Sequence, residues 1–102
     1  MLPVIVNEWR VEKRSLSAGT LITSFGTGGV ITSEPSSGTN EINAAAIDAT
    51  GLYVAGVDNV GGTGGECRIE KRDLSTGSLI TFGSGGVAIS NPSFSFCLFL
   101  AL

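Results

Sequence analysis

The sequence predicts an all-β chain of short antiparallel strands joined by tight turns, and three observations carry that expectation. Side chains alternate with a period of two in Trp9-Arg10-Val11-Glu12-Lys13-Arg14. Trp9, Val11 and Lys13 fall on one face of such a strand, and Arg10, Glu12 and Arg14 on the other. Fifteen glycines against three prolines, with many Val, Ile, Thr and Phe, suit strands separated by turns. Finally, Arg10-Val11-Glu12-Lys13-Arg14 returns as Arg68-Ile69-Glu70-Lys71-Arg72, and those two words hold all six basic residues of the chain.

The doubled word belongs to a longer repeat. From Trp9 the chain reads WRVEKRSLSAGTLITSFGTGGVITSEPS, and from Cys67 it reads CRIEKRDLSTGSLITFGSGGVAISNPS. The offset is 58 residues up to Thr23 and Thr81, and it becomes 57 after Ser24, which has no counterpart. Leu16 thus matches Leu74, Gly19 matches Gly77, Leu21-Ile22-Thr23 matches Leu79-Ile80-Thr81, Phe25-Gly26 matches Phe82-Gly83 and Pro35-Ser36 matches Pro92-Ser93.

Taken in chain order, the elements of one repeat follow from local chemistry. Ile42 to Asp48 is a strand of small residues, Ala49-Thr50-Gly51 a turn, and Leu52 to Asp58 a more hydrophobic strand. The charged strand comes next, followed by SLSAGT or DLSTGS, where Gly19 and Gly77 take the left-handed position and Asp73 braces the turn with its side chain. Leu21 to Phe25 and Leu79 to Phe82 are expected to form the returning strand. Val30-Ile31-Thr32 and Val87-Ala88-Ile89 are a fifth strand candidate for four slots. Four antiparallel strands in about 58 residues is the pattern of a propeller blade, with the alanine-rich strand suited to a crowded centre.

The expected fold class is therefore all-β, with antiparallel up-and-down β-propeller-blade repeats, incomplete at about 1.75 repeats. Residues 1–34 are the C-terminal part of one blade repeat, 35–41 a connecting loop, 42–93 a further, nearly complete repeat, and 94–102 an apolar tail. The elements "SFGTGGV" and "TFGSGGV", with "AIDATGLYVAG", resemble a bacterial and archaeal tandem repeat of about sixty residues that forms β-propeller blades. "LYVAG…IEKRDLSTGSLI" is more loosely similar to blades of quinoprotein and kelch-type propellers. The resemblance implies an extracellular or periplasmic multi-blade protein and supplies no catalytic residue to carry over. No signal peptide is legible in this chain, since MLPVIVNEWR lacks a basic n-region.

Composition excludes several functions. Hydrophobic residues at 42% and charged residues at 15% argue against disorder. A formal charge of −3 without histidine gives no footprint for nucleic acid, and the arginines alternate with glutamates while Trp9 faces away from them. The lack of histidine also removes Ser-His and Cys-His nucleophiles. Gly26-x-Gly28 and Gly62-x-Gly64 are followed by Ile31 and Cys67 where a phosphate loop needs glycine, so they are turn residues. The chain is read as non-catalytic and as calling for no cofactor.

The candidate sites are few. Among the carboxylates, Glu12 and Glu70 each sit between two arginines, a setting that makes a poor general acid. Arg10, Glu12, Arg14, Arg68, Glu70 and Arg72 are instead the inter-blade ion-pair candidates. The loop from Asp58 to Glu66 has oxygen ligands at both ends, which makes Asp58 and Glu66 calcium candidates, although a long glycine turn is the plainer reading. Asp58, Asn59, Thr63 and Glu66 are the binding-rim candidates, with the 83–86 turn expected on the same rim and 49–51 and 75–78 on the other. If the fifth strand candidate pairs, that parity changes.

Partners are expected to be the chain itself or further blades of the same repeat. "FSFCLFLAL" is too short for a membrane span, at about 14 Å as a helix, yet it has the strand propensity of a self-assembly segment. Strand donation through this tail, and a fragment of a quinoprotein-like enzyme propeller, are the alternative functions. Cys67 and Cys97 allow one bridge, but Cys67 occupies the slot of Trp9, which favours two buried apolar thiols.

Overall fold

Alternating apolar and polar side chains leave each strand with one face to bury, and the chain does so by stacking two antiparallel sheets. The computed structural model describes residues 8–33, 40–58 and 66–90. Its strands are β1 (Trp9–Glu12), β2 (Val30–Ser33), β3 (Asn40–Asp48), β4 (Gly51–Asp58), β5 (Glu66–Arg72) and β6 (Val87–Ser90). The protein is all-β in these residues, without helix. β1 and β2 form a two-stranded sheet, and β3-β4-β5-β6 form a four-stranded meander in sequence order. Strand β3 begins at Asn40, two residues inside the segment the sequence assigns to the connecting loop.

The two sheets are built from matching parts. β1 and β5 carry the doubled word, and β2 and β6 follow at matching positions. Register sorts the faces. Val54 lies opposite Glu70, and Leu52 opposite Arg72, so these four share one face of the large sheet. Trp9 lies opposite Ser33, and Val11 opposite Ile31, so these share one face of the small sheet. Those two faces meet. The core is the seam between them, with Trp9, Phe25, Leu52 and Val54 buried and Val11, Ile31, Ile42 and Leu74 packed around them.

The returning strand is not where local propensity puts it. Leu21 and Leu79 make only single-residue bridges, to Arg14 and Arg72, and the partners of the charged strands are β2 and β6. The backbone decides this competition. Lys13 donates its N–H to Gly29 O (2.9 Å) and accepts from Ile22 N (2.9 Å), so the Leu21 segment crosses the strand end as β2 takes the ladder. Lys71 repeats the arrangement with Gly86 O (2.9 Å) and Ile80 N (3.1 Å). Unmatched Ser24 is absorbed in a turn closed by Phe25 N donating to Ile22 O (3.1 Å).

That pairing corrects the rim assignment. The whole 73–86 connection runs between β5 and β6, at the same end of the sheet as the 49–51 turn. The 83–86 turn therefore lies at the opposite end from Asp58 and Glu66, the closing pair of the β4–β5 ladder.

β3 carries a bulge. Ile42 pairs with Gly56 and Ala44 with Ala55, leaving Asn43 as the extra residue. A Cβ at Gly56 would collide with Glu41 O, so only glycine lets the bulged backbone approach. Gly56→Ala should cost more than about 2 kcal/mol and free β3 first. Urea titration of the variant, with hydrogen exchange over residues 40–48, checks this; a wild-type midpoint contradicts it.

Candidate functional site

The doubled word is a self-contained electrostatic unit. In β5, Arg72 Nε and Nη2 reach Glu70 Oε1, both at 3.0 Å. Arg68 Nε and Nη2 reach Oε2 at 3.0 and 2.9 Å. Arg72 Nη1 then donates to Gly77 O at 2.7 Å, which pins the turn that follows the strand. Strand β1 repeats each step. Arg10 Nη2 and Arg14 Nε reach the Glu12 carboxylate at 2.8 and 3.0 Å, and Arg14 Nη1 reaches Gly19 O at 2.6 Å. Residues two apart on a strand share a face, so one carboxylate can serve both arginines.

All four ion pairs among the described residues run along the strands themselves. The seam is crossed by other bonds. Ser33 Oγ donates to Glu70 Oε2 at 2.8 Å, Lys13 Nζ to Leu74 O at 2.6 Å, and Gly26 N to Thr76 O at 2.8 Å. Trp9 Nε1 donates to Val57 O at 3.3 Å, and the Arg68 guanidinium lies 5.9 Å from the Trp9 ring centroid. Trp9 does face away from Arg10 on its own strand, but the seam brings it an arginine from the other sheet.

Glu70 is fully buried there. The space left beside it, lined by Trp9, Val11, Ile31, Ser33 and Val54 among others, is about 10 Å³. That is barely room for one water, so the Ser33 hydroxyl and the two guanidinium groups satisfy the carboxylate directly. Glu12 lacks a covering sheet. Hydrogen bonds from Arg10 and then Arg14 hold its carboxyl below the usual value, which suits a permanent anion and no proton-transfer role.

The remaining candidates are placed as follows. Asp58 and Glu66 face each other in register, while Asn59 and Thr63 lie outside the described residues. Among the described residues, no group of three His, Cys, Asp or Glu comes together to hold a metal ion. No helix among them is long and apolar enough to cross a membrane, and the tail at 94–102 also lies outside them. Cys67 is disulfide-bonded, which corrects the expectation of a buried thiol; the chain's other cysteine, Cys97, lies outside the described residues. Sequence reasoning missed Ser33 and Lys13 as seam residues, because nothing local marks a serine or lysine for a partner in another sheet.

A cleft of about 370 Å³ opens beside the seam, lined by Gly26, Thr27, Val30, Ile31, Thr32 and Arg72. Its one charged group, Arg72, is already committed to Glu70 and Gly77. The lining of the cleft sets no carboxylate, histidine or lysine beside its Thr27 and Thr32 hydroxyls. No family model, curated protein or solved structure matches the chain.

The turns at the far end are built on two aspartates. Asp48 Oδ1 accepts from Thr50 Oγ1 (2.7 Å), Thr50 N (2.8 Å) and Gly51 N (3.1 Å). Asp73 Oδ1 accepts from Ser75 N (2.8 Å) and Thr76 N (2.9 Å), as the sequence leads one to expect of that turn. Thr50's hydroxyl lowers the Asp48 carboxyl first, and the backbone N–H groups of Thr76 and Ser75 lower that of Asp73.

Two predictions follow from these contacts. Glu70→Ala leaves two arginines facing a buried gap and should cost about 3 kcal/mol, whereas Glu12→Ala at the matching exposed position should leave Tm unchanged. Thermal melts of both variants check the contrast; equal losses would contradict the role of burial. The Asp48 and Asp73 carboxyls titrate below their usual 3.8. Their contribution is whole above that value and is lost as pH falls through the lower folded value. The Tm gap between wild type and Asp48→Asn or Asp73→Asn should therefore be widest near neutral pH and close as pH falls below the usual aspartate range. A gap that widens in acid contradicts the sign.

Proposed function

We propose that the chain is a non-catalytic β-propeller-blade scaffold or binding module, completed by further blades. The observation that carries this reading is the seam. A four-stranded meander is covered on one face by a two-stranded sheet that repeats the sequence of its own last two strands. A unit that covers its like, and is itself left to be covered, is how radial and stacked repeats bury their cores.

Other features support the same reading. The lining of the cleft beside the seam sets no base beside its threonine hydroxyls, and the ion-paired word closes on itself. The disulfide at Cys67 fits the oxidising setting that the resemblance implies. Within this reading, the end of the sheet bearing Asp58 and Glu66 is where the sequence varies in length between the two copies, the place where such scaffolds put ligands.

Chains that join successive copies of the repeat in tandem test it. Scattering should show the particle becoming compact and ring-like at some number between about four and eight copies, with a sharp rise in Tm at closure. A longest dimension that grows in proportion to copy number would replace the propeller with an open stack.

A further inference from the structure

The charged strand and turn of the seam have counterparts on the small sheet, and those counterparts are more exposed. Glu70 keeps 2% of its side-chain exposure, with Arg68 at 16% and Arg72 at 12%. The matching Glu12, Arg10 and Arg14 keep 31%, 53% and 50%. Leu74 packs into the core, while its counterpart Leu16 is wholly exposed at 106%. A Cβ on Gly77 would meet Ile31 at 2.8 Å and Phe25 at 3.3 Å; one on Gly19 would meet nothing within 4 Å. The small sheet thus presents, uncovered, the charged strand and turn of the surface that its own inner face covers in the large sheet, without counterparts of the β4 residues Leu52 and Val54.

The covering surface is also present twice. On the inner face of the small sheet it consists of Val11, Ile31 and Ser33, with Phe25 and Lys13. Their counterparts are Ile69, Ala88, Ser90, Phe82 and Lys71. Register places Ile69 opposite Ala88, and Cys67 opposite Ser90, on the face of the large sheet turned away from the seam. Phe82 stands edge-on to Tyr53 on that side, with ring centroids 5.7 Å apart.

We propose that the open Arg10–Glu12–Arg14 face docks a second copy of this chain through that copy's Ile69–Phe82–Ser90 face, in the register of the internal seam. The inference rests on the reading of the two copies as interchangeable units. Three seam bonds carry over atom for atom. Ser90 Oγ replaces Ser33 as the donor to Glu12, Lys71 Nζ reaches Leu16 O, and Gly83 N reaches Ala18 O. Phe82 covers Gly19 as Phe25 covers Gly77. The match has several costs: the acceptor sheet lacks Leu52 and Val54, Ala88 stands in for Ile31, and Cys67 on the docking face is disulfide-bonded. Lys71 gives up its present bond to Thr50 Oγ1 (2.9 Å), and Cys67 stands where Trp9 supplies an indole. The intermolecular seam is therefore weaker than the internal one and depends on concentration. Because the two faces differ, the contact is head-to-tail and can propagate beyond a dimer.

Two substitutions at exposed positions separate the faces. Leu16→Arg spoils the acceptor surface and Ser90→Arg spoils the donor surface, and neither side chain is buried in the chain itself. Light scattering over a concentration series reads the mass, and circular dichroism with Tm confirms that each variant folds. Wild type should grow past a dimer, each variant alone should stay monomeric, and an equimolar mixture should give dimers and nothing larger. A wild type that stays monomeric, variants that keep the wild-type mass, or a mixture that stays monomeric would overturn the proposal. Persistence of assembly in both variants would point to the apolar tail instead. The tandem chains read the repeat reading separately, since they test contacts within one polypeptide.

Discussion

The fold depends on one buried carboxylate. Glu70 lies between two guanidinium groups on its own strand and receives its last hydrogen bond from Ser33 on another sheet. Burying an ion pair is expensive, and it is tolerated only where every lone pair is met and the surroundings are well packed. Both conditions hold only when the small sheet is seated. Trp9, Val11 and Ile31 then exclude water, and the remaining void beside Glu70 is about 10 Å³. Seating therefore couples the two sheets: the apolar contacts supply the driving force, and the carboxylate restricts it to one register. A one-residue slip of β1 on β2 would turn Arg10 toward Glu70 in place of Trp9 and Val11.

Much of this was legible locally, and what failed did so for a definite reason. Alternation placed β1 and β5, and the small and apolar runs between turn signals placed β3 and β4, because none of these stretches has a competitor nearby. Gly77 and Asp73 announced their turn because a left-handed backbone and an aspartate two residues before a free N–H are local signals; Gly77 has φ of 79°. The returning strand did not follow, since Leu79 to Phe82 and Val87 to Ile89 are both β-prone and adjacent. What separates them is where Lys71 finds its two backbone partners, and that is settled only once the chain has turned twice. The same is true of Ser33, whose role exists only across the seam. Propensity identifies strands; pairing chooses among them.

The doubled word explains how one surface can be stable both covered and bare. Its ion pairs close along the strand, and its second arginine ties down the next turn, so neither contact waits for a partner. Exposed, the row is a solvated charged surface, which also protects the small sheet from indiscriminate edge and face association. Covered, it is already ordered, so seating a partner costs little further side-chain entropy. The remaining penalty is desolvation, and it falls on any partner that cannot return a hydroxyl to the carboxylate.

That division of labour bears on specificity. Apolar groups such as Leu74 and Phe25 would accept many neighbours, because dispersion and burial are indifferent to register. A carboxylate held by two arginines is not indifferent, since it leaves one oxygen position for a small donor and little space for a competing water. The sequence supplies that donor at the same place in each copy, as Ser33 and Ser90, despite the single-residue insertion between the charged strand and the serine. The insertion is absorbed in the turn before Phe25, upstream of β2, so the hydroxyl returns to register. The position of the seam serine is thus maintained where chain length is not.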